Sequence, residues 1–257
     1  MKELHPDRPV PSFDDDDLTA ATGARAIEGR DLAESVEGRP ARRAPAKAAL
    51  KRDVKRDLKR DVPTREEIDA LDPFPGIHPS RILVAATARR VAEAHDALAA
   101  HSHVGFDTES RPTFTRGEAS EGPHVLQFAT LERVYIFQLH VPEARDAVSA
   151  LLRSTSLTKV GFGLDGDKTQ IRARLAIEPQ SVLDLDTVFR DLGYRKSVGL
   201  KVAVALVFRR RFAKSKRIGT SNWSHQSLTA SQLLYAANDA YAAMRVYAAI
   251  ARPATRG

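Results

Sequence analysis

From about residue 80 onward, apolar and polar positions alternate with two different periods. A period of two marks a strand and a period near 3.6 marks a helix, because side chains change face with every residue of a strand and with every turn of a helix. This pattern predicts a strand over 81–86, a helix over 87–100, and further strands over 104–109, 125–129 and 134–139. A helix follows over 142–153, with Pro142 at its start, where a missing N–H leaves no intrahelical bond unmade. A short strand is expected over 159–163, a helix over 164–175 and a short strand over 182–185. The remainder reads as helix with a loop over 214–223. Strands come first and helices later, so the expected architecture is α/β, a mixed sheet flanked by helices.

The first 62 residues lack this pattern. They are rich in Pro, Ala, Gly, Arg and Asp and nearly free of aromatics. Such a segment has little apolar surface to bury, and a disordered or partly helical tail is expected. One stretch is ordered in sequence: Lys51-Arg52-Asp53-Val54, Lys55-Arg56-Asp57-Leu58 and Lys59-Arg60-Asp61-Val62 repeat a tetrad. With Leu50, the apolar members Val54, Leu58 and Val62 recur every four positions and would form a narrow stripe on a helix that Pro63 ends. The stretch is either a solvated charge run with transient helicity or a basic helix that docks on the domain or on nucleic acid. Residues 63–79 read as a linker with a short helix, 80–251 as the folded domain and 252–257 as a tail.

Composition narrows the function classes. The 257 residues include no cysteine, which excludes disulfides, thiolate metal sites and thiol nucleophiles and fits an intracellular, cytoplasmic setting. No apolar run has the length of a membrane span, and the first twenty residues hold Asp14 to Asp17 without an apolar core, so neither a membrane anchor nor a secretory signal is expected. The net charge of +7 is uneven. Residues 1–75 carry 15 basic and 17 acidic residues, and 76–257 carry 25 and 16. The basic excess therefore lies in the segment expected to fold, and a basic domain attracts polyanions.

Three segments carry candidate chemistry. On a strand through Val104-Gly105-Phe106-Asp107-Thr108-Glu109, the residues Gly105, Asp107 and Glu109 share one face. Two carboxylates this close repel, and a proton or a hard cation with oxygen ligands relieves them; two solvated acids on a half-exposed strand are the plainer alternative. The second segment is the last long helix, which opens on a capping box of Thr229 and Gln232 and stops before Pro253. Tyr235 and Asp239 are four apart on one face of it, among small alanines that let the helix lie close to a sheet. Asp239 in such surroundings needs a partner or a metal. Third, Val160-Gly161-Phe162-Gly163-Leu164-Asp165-Gly166-Asp167 is a tight strand-to-helix passage in which Asp165 and Asp167 could each reach a site at the strand end, Asp165 also suiting an N-cap. No Gly-Lys-Ser/Thr follows, so the passage is not a phosphate-binding P-loop.

The order of these motifs resembles the DEDD superfamily of 3′→5′ exonucleases in its tyrosine-containing branch, with the Werner-syndrome-type exonuclease domain and ribonuclease D as the nearest families. The matching pieces are Gly105-Phe106-Asp107-Thr108-Glu109, Val160-Gly161-Phe162-Gly163 with Asp167, Thr220-Ser221-Asn222-Trp223-Ser224 with Leu228-Thr229, and Tyr235-Ala236-Ala237 with Asp239-Ala240-Tyr241. They span roughly residues 80–250. The resemblance implies a ribonuclease H-like fold. It implies Asp107, Glu109, Asp167 and Asp239 as metal-binding acids for two Mg2+ or Mn2+ ions, and Tyr235 as the residue that positions the attacking water. It selects Asp167 over Asp165. Ser110 stands where relatives often carry Trp, and no counterpart of ribonuclease D's following helical domain is expected before Gly257.

Two divalent ions about 3.5–4 Å apart can activate water and stabilise the leaving 3′ oxygen of a phosphodiester. The expected substrate is the 3′ end of DNA or RNA, the choice between them open, with no membrane and no nicotinamide or flavin involved and a monomer at work. Arg209, Arg210, Arg211, Lys214, Lys216 and Arg217 cluster within nine residues around Phe208 and Phe212. They would neutralise phosphates and stack on unpaired bases, or form a solvated helix end with the two phenylalanines in the core. Phe106, Thr108, Trp223 and His225 are candidate wall residues, with core packing the alternative for Phe106 and Trp223. A binding module of the same fold that had lost catalysis is the competing reading; such modules usually lack one of the acids, and all are present here.

Overall fold

Each segment with strand periodicity becomes a strand of one mixed sheet in the computed structural model, which describes residues 60–251 apart from 114, 116 and 119. Of the tail expected over the first 62 residues, 1–59 lie outside the described residues, as do 252–257. The strands are β1 (Ile82–Val84), β2 (His103–Glu109), β3 (Val125–Ala129), β4 (Val134–Gln138), β5 (Thr158–Gly161) and β6 (Val182–Asp184). Their order across the sheet is β1-β4-β3-β2-β5-β6, with β2/β3 and β3/β4 antiparallel and the other pairs parallel. Parallel neighbours require crossovers, and helices supply them: α2 (Ala88–Ala99), α3 (Pro142–Arg153) and α4 (Asp165–Leu175). A short α1 (Arg65–Asp69) precedes the sheet, and α5 (Leu185–Asp191), α6 (Leu200–Phe208), α7 (Lys216–Gly219) and α8 (Ala230–Ala251) follow it.

Strand alternation divides the core into two layers. Val104, Phe106, Leu126, Phe128 and Phe137 point to one face, where they meet Val91 and Leu98 of α2 and Val148 and Leu152 of α3. Val125, Ala129, Val134 and Ile136 point to the other, against Ala236, Ala237 and Ala240 of α8. The alanines matter because α8 lies almost on β2. A Cβ at Gly105 would overlap the carbonyl oxygen of Ala240, so only glycine permits this approach. The start of α8 is fixed by a capping box: Gln232 N–H donates to Thr229 Oγ1 at 3.2 Å, and Thr229 N–H donates to Gln232 Oε1 at 3.0 Å.

Several boundaries differ from the sequence reading for local reasons. β1 starts at Ile82 because Pro79–Arg81 forms a single 3-10 turn. The expected loop over 214–223 contains α7, one turn capped by the Ser215 hydroxyl accepting from Ile218 N–H; a helix this short leaves no periodic signature. Asp165 is not an N-cap; Leu164 takes that position, and Asp165 lies in the first turn of α4. The end of the tetrad repeat is extended rather than helical: Arg60 bridges to Tyr194, and Val62 packs on the α8-side core. Among the described residues no helix is long and apolar enough to cross a membrane.

Candidate active site

The strand register carries Asp107 and Glu109 to the C-terminal end of β2, on the face that α8 covers. Asp239 approaches from α8, two residues after Ala237 and one before the Ala240 contact with Gly105. One carboxylate oxygen from each of Asp107, Glu109 and Asp239 falls within 4.8 Å of the others. Asp167 stands beside this triangle rather than within it. It occupies the first turn of α4, and its Oδ1 accepts a hydrogen bond from the Thr108 hydroxyl. Asp165 turns outward and pairs with Lys168 at 2.6 Å.

The cluster is electrostatically strained. Burial pushes the Asp107 carboxyl well above the usual carboxylate range, and the charges of Asp239 and Asp167 add to the shift. Burial likewise raises Glu109 to about 9, with Asp107 and Asp239 contributing. Asp167 and Asp239 are raised by burial too, opposed by the Thr108 bond in one case and by Lys214 in the other. Lys214 is the cation paired with the group: its Nζ sits 2.7 Å from Oδ2 of Asp239, a residue only 3% exposed. Burial alone would lower the Lys214 pKa, but Asp239 and Asp107 outweigh it and hold the ammonium above its ordinary value. One ammonium does not neutralise four acids. The donor set is all oxygen, buried and short of positive charge, which is the chemistry of a hard divalent cation site. Asp107, Glu109 and Asp239 fit such an ion, with Asp167 alongside.

Tyr235 lies one turn before Asp239 on α8 and faces the same site. Its ring is 5.4 Å from Lys214 Nζ, and a Cβ on Gly219 would come within 2.6 Å of its hydroxyl, so α7 is pressed against it. Burial, then the Asp239 charge, raises its pKa to about 12, and the hydroxyl keeps its proton at neutral pH. An open cavity of about 570 Å³ adjoins Tyr235 and is lined by Lys201, Arg211, Phe212, Lys214 and Asn238.

The basic run does not act as one surface. Arg209 takes a left-handed conformation (φ 54°) that ends α6 and redirects the chain. Arg210 pairs with Asp72 at 2.5 Å, away from the acids, and only Arg211 and Lys214 reach the cavity beside Tyr235. Lys216 and Arg217 are exposed on α7. Phe208 and Phe212 pack against the Phe74 ring at tilted angles of 39° and 55°, in the core reading. Phe106 (2% exposed) and Trp223 (0%) are core residues rather than walls of an open site; the Trp223 indole N–H donates to the Gly219 carbonyl at 3.2 Å. His225 is exposed, and its backbone carbonyl accepts from Gln138 Nε2 at 3.0 Å. Thr108 holds Asp167. The sequence reading missed that Lys214 is the partner of Asp239, because 25 positions separate them and no periodicity links a loop to a helix.

A mixed sheet with an acid cluster between β2 and a closely packed final helix is an α/β domain of the ribonuclease H-like fold. The family model described as 3′-5′ exonuclease matches residues 84–253, and the chain belongs to that family. A 3′-5′ exonuclease of Arabidopsis thaliana is 30% identical over 149 residues, covering 56% of this chain and 51% of that one. The mouse (Mus musculus) bifunctional 3′-5′ exonuclease/ATP-dependent helicase WRN is 30% identical over 146 residues, 56% of this chain and 10% of its own length. The chain thus spans about half of the plant relative and a tenth of the mouse one. Among solved structures, the Aedes aegypti Nibbler EXO domain aligns with TM-score 0.58 and 23% identity over 68% of this chain and 88% of its own. Trypanosoma brucei RNase D aligns with TM-score 0.61 and 18% identity over 68% and 66%.

Proposed function

We propose that this chain is a metal-dependent 3′→5′ exonuclease that hydrolyses the terminal phosphodiester of single-stranded or 3′-overhanging DNA or RNA and releases nucleoside 5′-monophosphates. The convergence of Asp107, Glu109 and Asp239 within 4.8 Å carries this reading. These residues, with Asp167, would hold two Mg2+ or Mn2+ ions, which when bound supply charge neutralisation for an anionic substrate and its leaving oxygen.

The chain's own groups have distinct tasks. Tyr235 is protonated at neutral pH, so it orients the attacking water through its hydroxyl and does not serve as a strong base. Thr108 fixes one oxygen of Asp167 by donating its hydroxyl proton to it. Lys214 holds Asp239 and lines the cavity beside Tyr235, where its ammonium would attract an anionic substrate. Arg211 and Lys201 line the adjoining cavity and attract the backbone of the strand being shortened.

The test uses matched strands of DNA and RNA labelled at the 3′ or the 5′ end, incubated with Mg2+, Mn2+ or chelator. A 3′ label should appear at once as mononucleotide, and a 5′ label as a descending ladder, only with metal. Immediate release of the 5′ label as mononucleotide with no intermediate ladder, or cleavage in chelator, overturns the reading.

A further inference from the structure

One buried polar side chain beside the acids is unpartnered among the described residues. Gln127, in the middle of β3, is 0% exposed, and among the described residues neither its Nε2 nor its Oε1 has a hydrogen-bond partner. Burying an amide without hydrogen bonds is costly, and native chains rarely accept it without a reason. Its place in the sheet supplies one. Gln127 is the antiparallel register partner of Asp107, while Ile136 of β4 lies opposite it on the other side. Directly opposed residues share a face, with Cβ atoms about 4.5–5.5 Å apart. That Gln127 points to the α8 side follows from its neighbours: Val125, Ala129 and Ile136 all belong to the core layer that packs on Ala236, Ala237 and Ala240. Of its two directly opposed neighbours Ile136 is aliphatic and Asp107 is the polar one; Glu109 and Gln138 lie one pair further along the same face, and the Gln138 amide already donates to the His225 carbonyl. Gln232 and Asn238 on α8 are already engaged, by Thr229 and Ser221 and by the Ile77 N–H.

We propose that Gln127 is a positioning residue that acts through Asp107, its amide Nε2–H donating to the Asp107 carboxylate and aiming that group's other oxygen into the acid cluster. Cβ atoms about 4.5–5.5 Å apart put the Asp107 carboxylate within the span of a glutamine side chain. The amide is also suited to the task electrostatically. It donates to an anion without adding charge, so it orients Asp107 without competing with a cation as an ammonium would. A leucine or methionine would fill similar space without burying two unpaired polar atoms, so packing alone does not explain an amide at this position.

The inference rests on Asp107 being a metal-binding acid, and the test separates the two claims. Mn2+ affinity of the full chain is measured by calorimetry for wild type, Gln127→Met, Asp107→Asn and the double variant, with thermal melts in chelator for each. Methionine matches the volume of glutamine and removes both polar atoms. A positioning role predicts that Gln127→Met melts at or above the wild-type temperature in chelator yet binds Mn2+ about 10- to 100-fold more weakly. It also predicts that the change has no further effect once Asp107→Asn is present, because the two act as one unit. If Asp107→Asn itself leaves Mn2+ affinity unchanged, the reading of the acid site fails. If Asp107→Asn weakens binding but Gln127→Met stays within twofold of wild type, the acid site stands and the role assigned to Gln127 is wrong. Should Gln127→Met not fold, Gln127→Leu gives the same comparison, and failure of both apolar variants to fold would assign the amide a structural role and overturn the proposal.

Discussion

On the α2/α3 face of the sheet, Lys159 is 0% exposed, and its Nζ donates to the carbonyls of Leu151, Ser154 and Leu157 at 3.2, 2.9 and 2.8 Å. On the α8 face, Asp107, Glu109 and Asp239 crowd together, with Lys214 as their paired cation and Gln127 unpartnered at their side. Burial pushes Lys159 down to about 8, whereas carboxylates hold Lys214 above its ordinary value in spite of burial. The difference teaches how to tell a structural polar group from a reactive one. Lys159 finds every partner inside the chain and ties the end of α3 to β5. The acids do not, and their shortfall of positive charge is what a divalent ion can make good.

The largest expected effect comes from neutralising one acid of the unsatisfied face. Asp107→Asn should slow single-turnover cleavage by about 1000-fold or more, since it removes a ligand and a charge together. In chelator the same variant should be no less stable than wild type, and up to about 1 kcal/mol more stable, because a buried like-charge contact is gone. A loss of stability in chelator would mean that Asp107 is held by the fold as Lys159 is.

Next in size is a change on the satisfied face. Phe128 is 0% exposed and packs against Phe106 and Phe137 at ring separations of 5.1 and 5.8 Å. Phe128→Ala should cost about 3–5 kcal/mol in denaturant melts while leaving Mn2+ affinity of the folded protein unchanged. A large affinity loss would show that the two layers are coupled through β2 and β3.

Tyr235→Phe is smaller and sharper. It keeps the ring against Trp223, 6.0 Å away, and removes only the hydroxyl. Single-turnover cleavage should fall by about 10- to 1000-fold if the hydroxyl orients the nucleophile, with Mn2+ affinity and melting temperature unchanged. Cleavage at the wild-type rate would make Tyr235 a packing residue of α8.

The same contrast explains what could be read from the sequence. The fold class and the strands were legible because they are local: alternation set the faces of β2, and the Thr229/Gln232 pair marked the start of α8. That Gly105, Asp107 and Glu109 share a face follows from the period of two alone. Gln127 and Lys159 went unnoticed because a polar residue in an alternating strand reads as solvent-facing. Here both faces of the central strands are covered by helices, so the polar positions are buried instead. The basic run read as one patch, but the left-handed turn at Arg209 sends Arg210 to Asp72 and Lys214 to Asp239, and such divergence is tertiary. Phe106 and Trp223, aromatics beside the motifs, belong to the core for the reason most large aromatics do.

The smallest effect tests the satisfied side through pH. Lys159→Met keeps a flexible stem but removes the donor from three carbonyls, at a cost of about 2–4 kcal/mol near neutral pH. The pH dependence separates burial from hydrogen bonding as the governing term. Burial holds the folded pKa at about 8, below the ordinary 10.5 of the unfolded chain. Below pH 8 the lysine is charged in both states and contributes no slope. As pH rises from about 8 to 10.5 the folded chain gives up this proton first, so the unfolded chain binds more protons and the lysine adds stability with increasing pH. The methionine variant has no such group, and the stability of wild type minus variant should therefore widen across that window by about 1–3 kcal/mol. The lower end is favoured because three carbonyls stabilise the ammonium more than the amine. A difference that stays flat from pH 8 to 10.5 would mean that those carbonyls, together with the C-terminal end of α3, keep Lys159 fully charged, and that hydrogen bonding rather than burial sets its state.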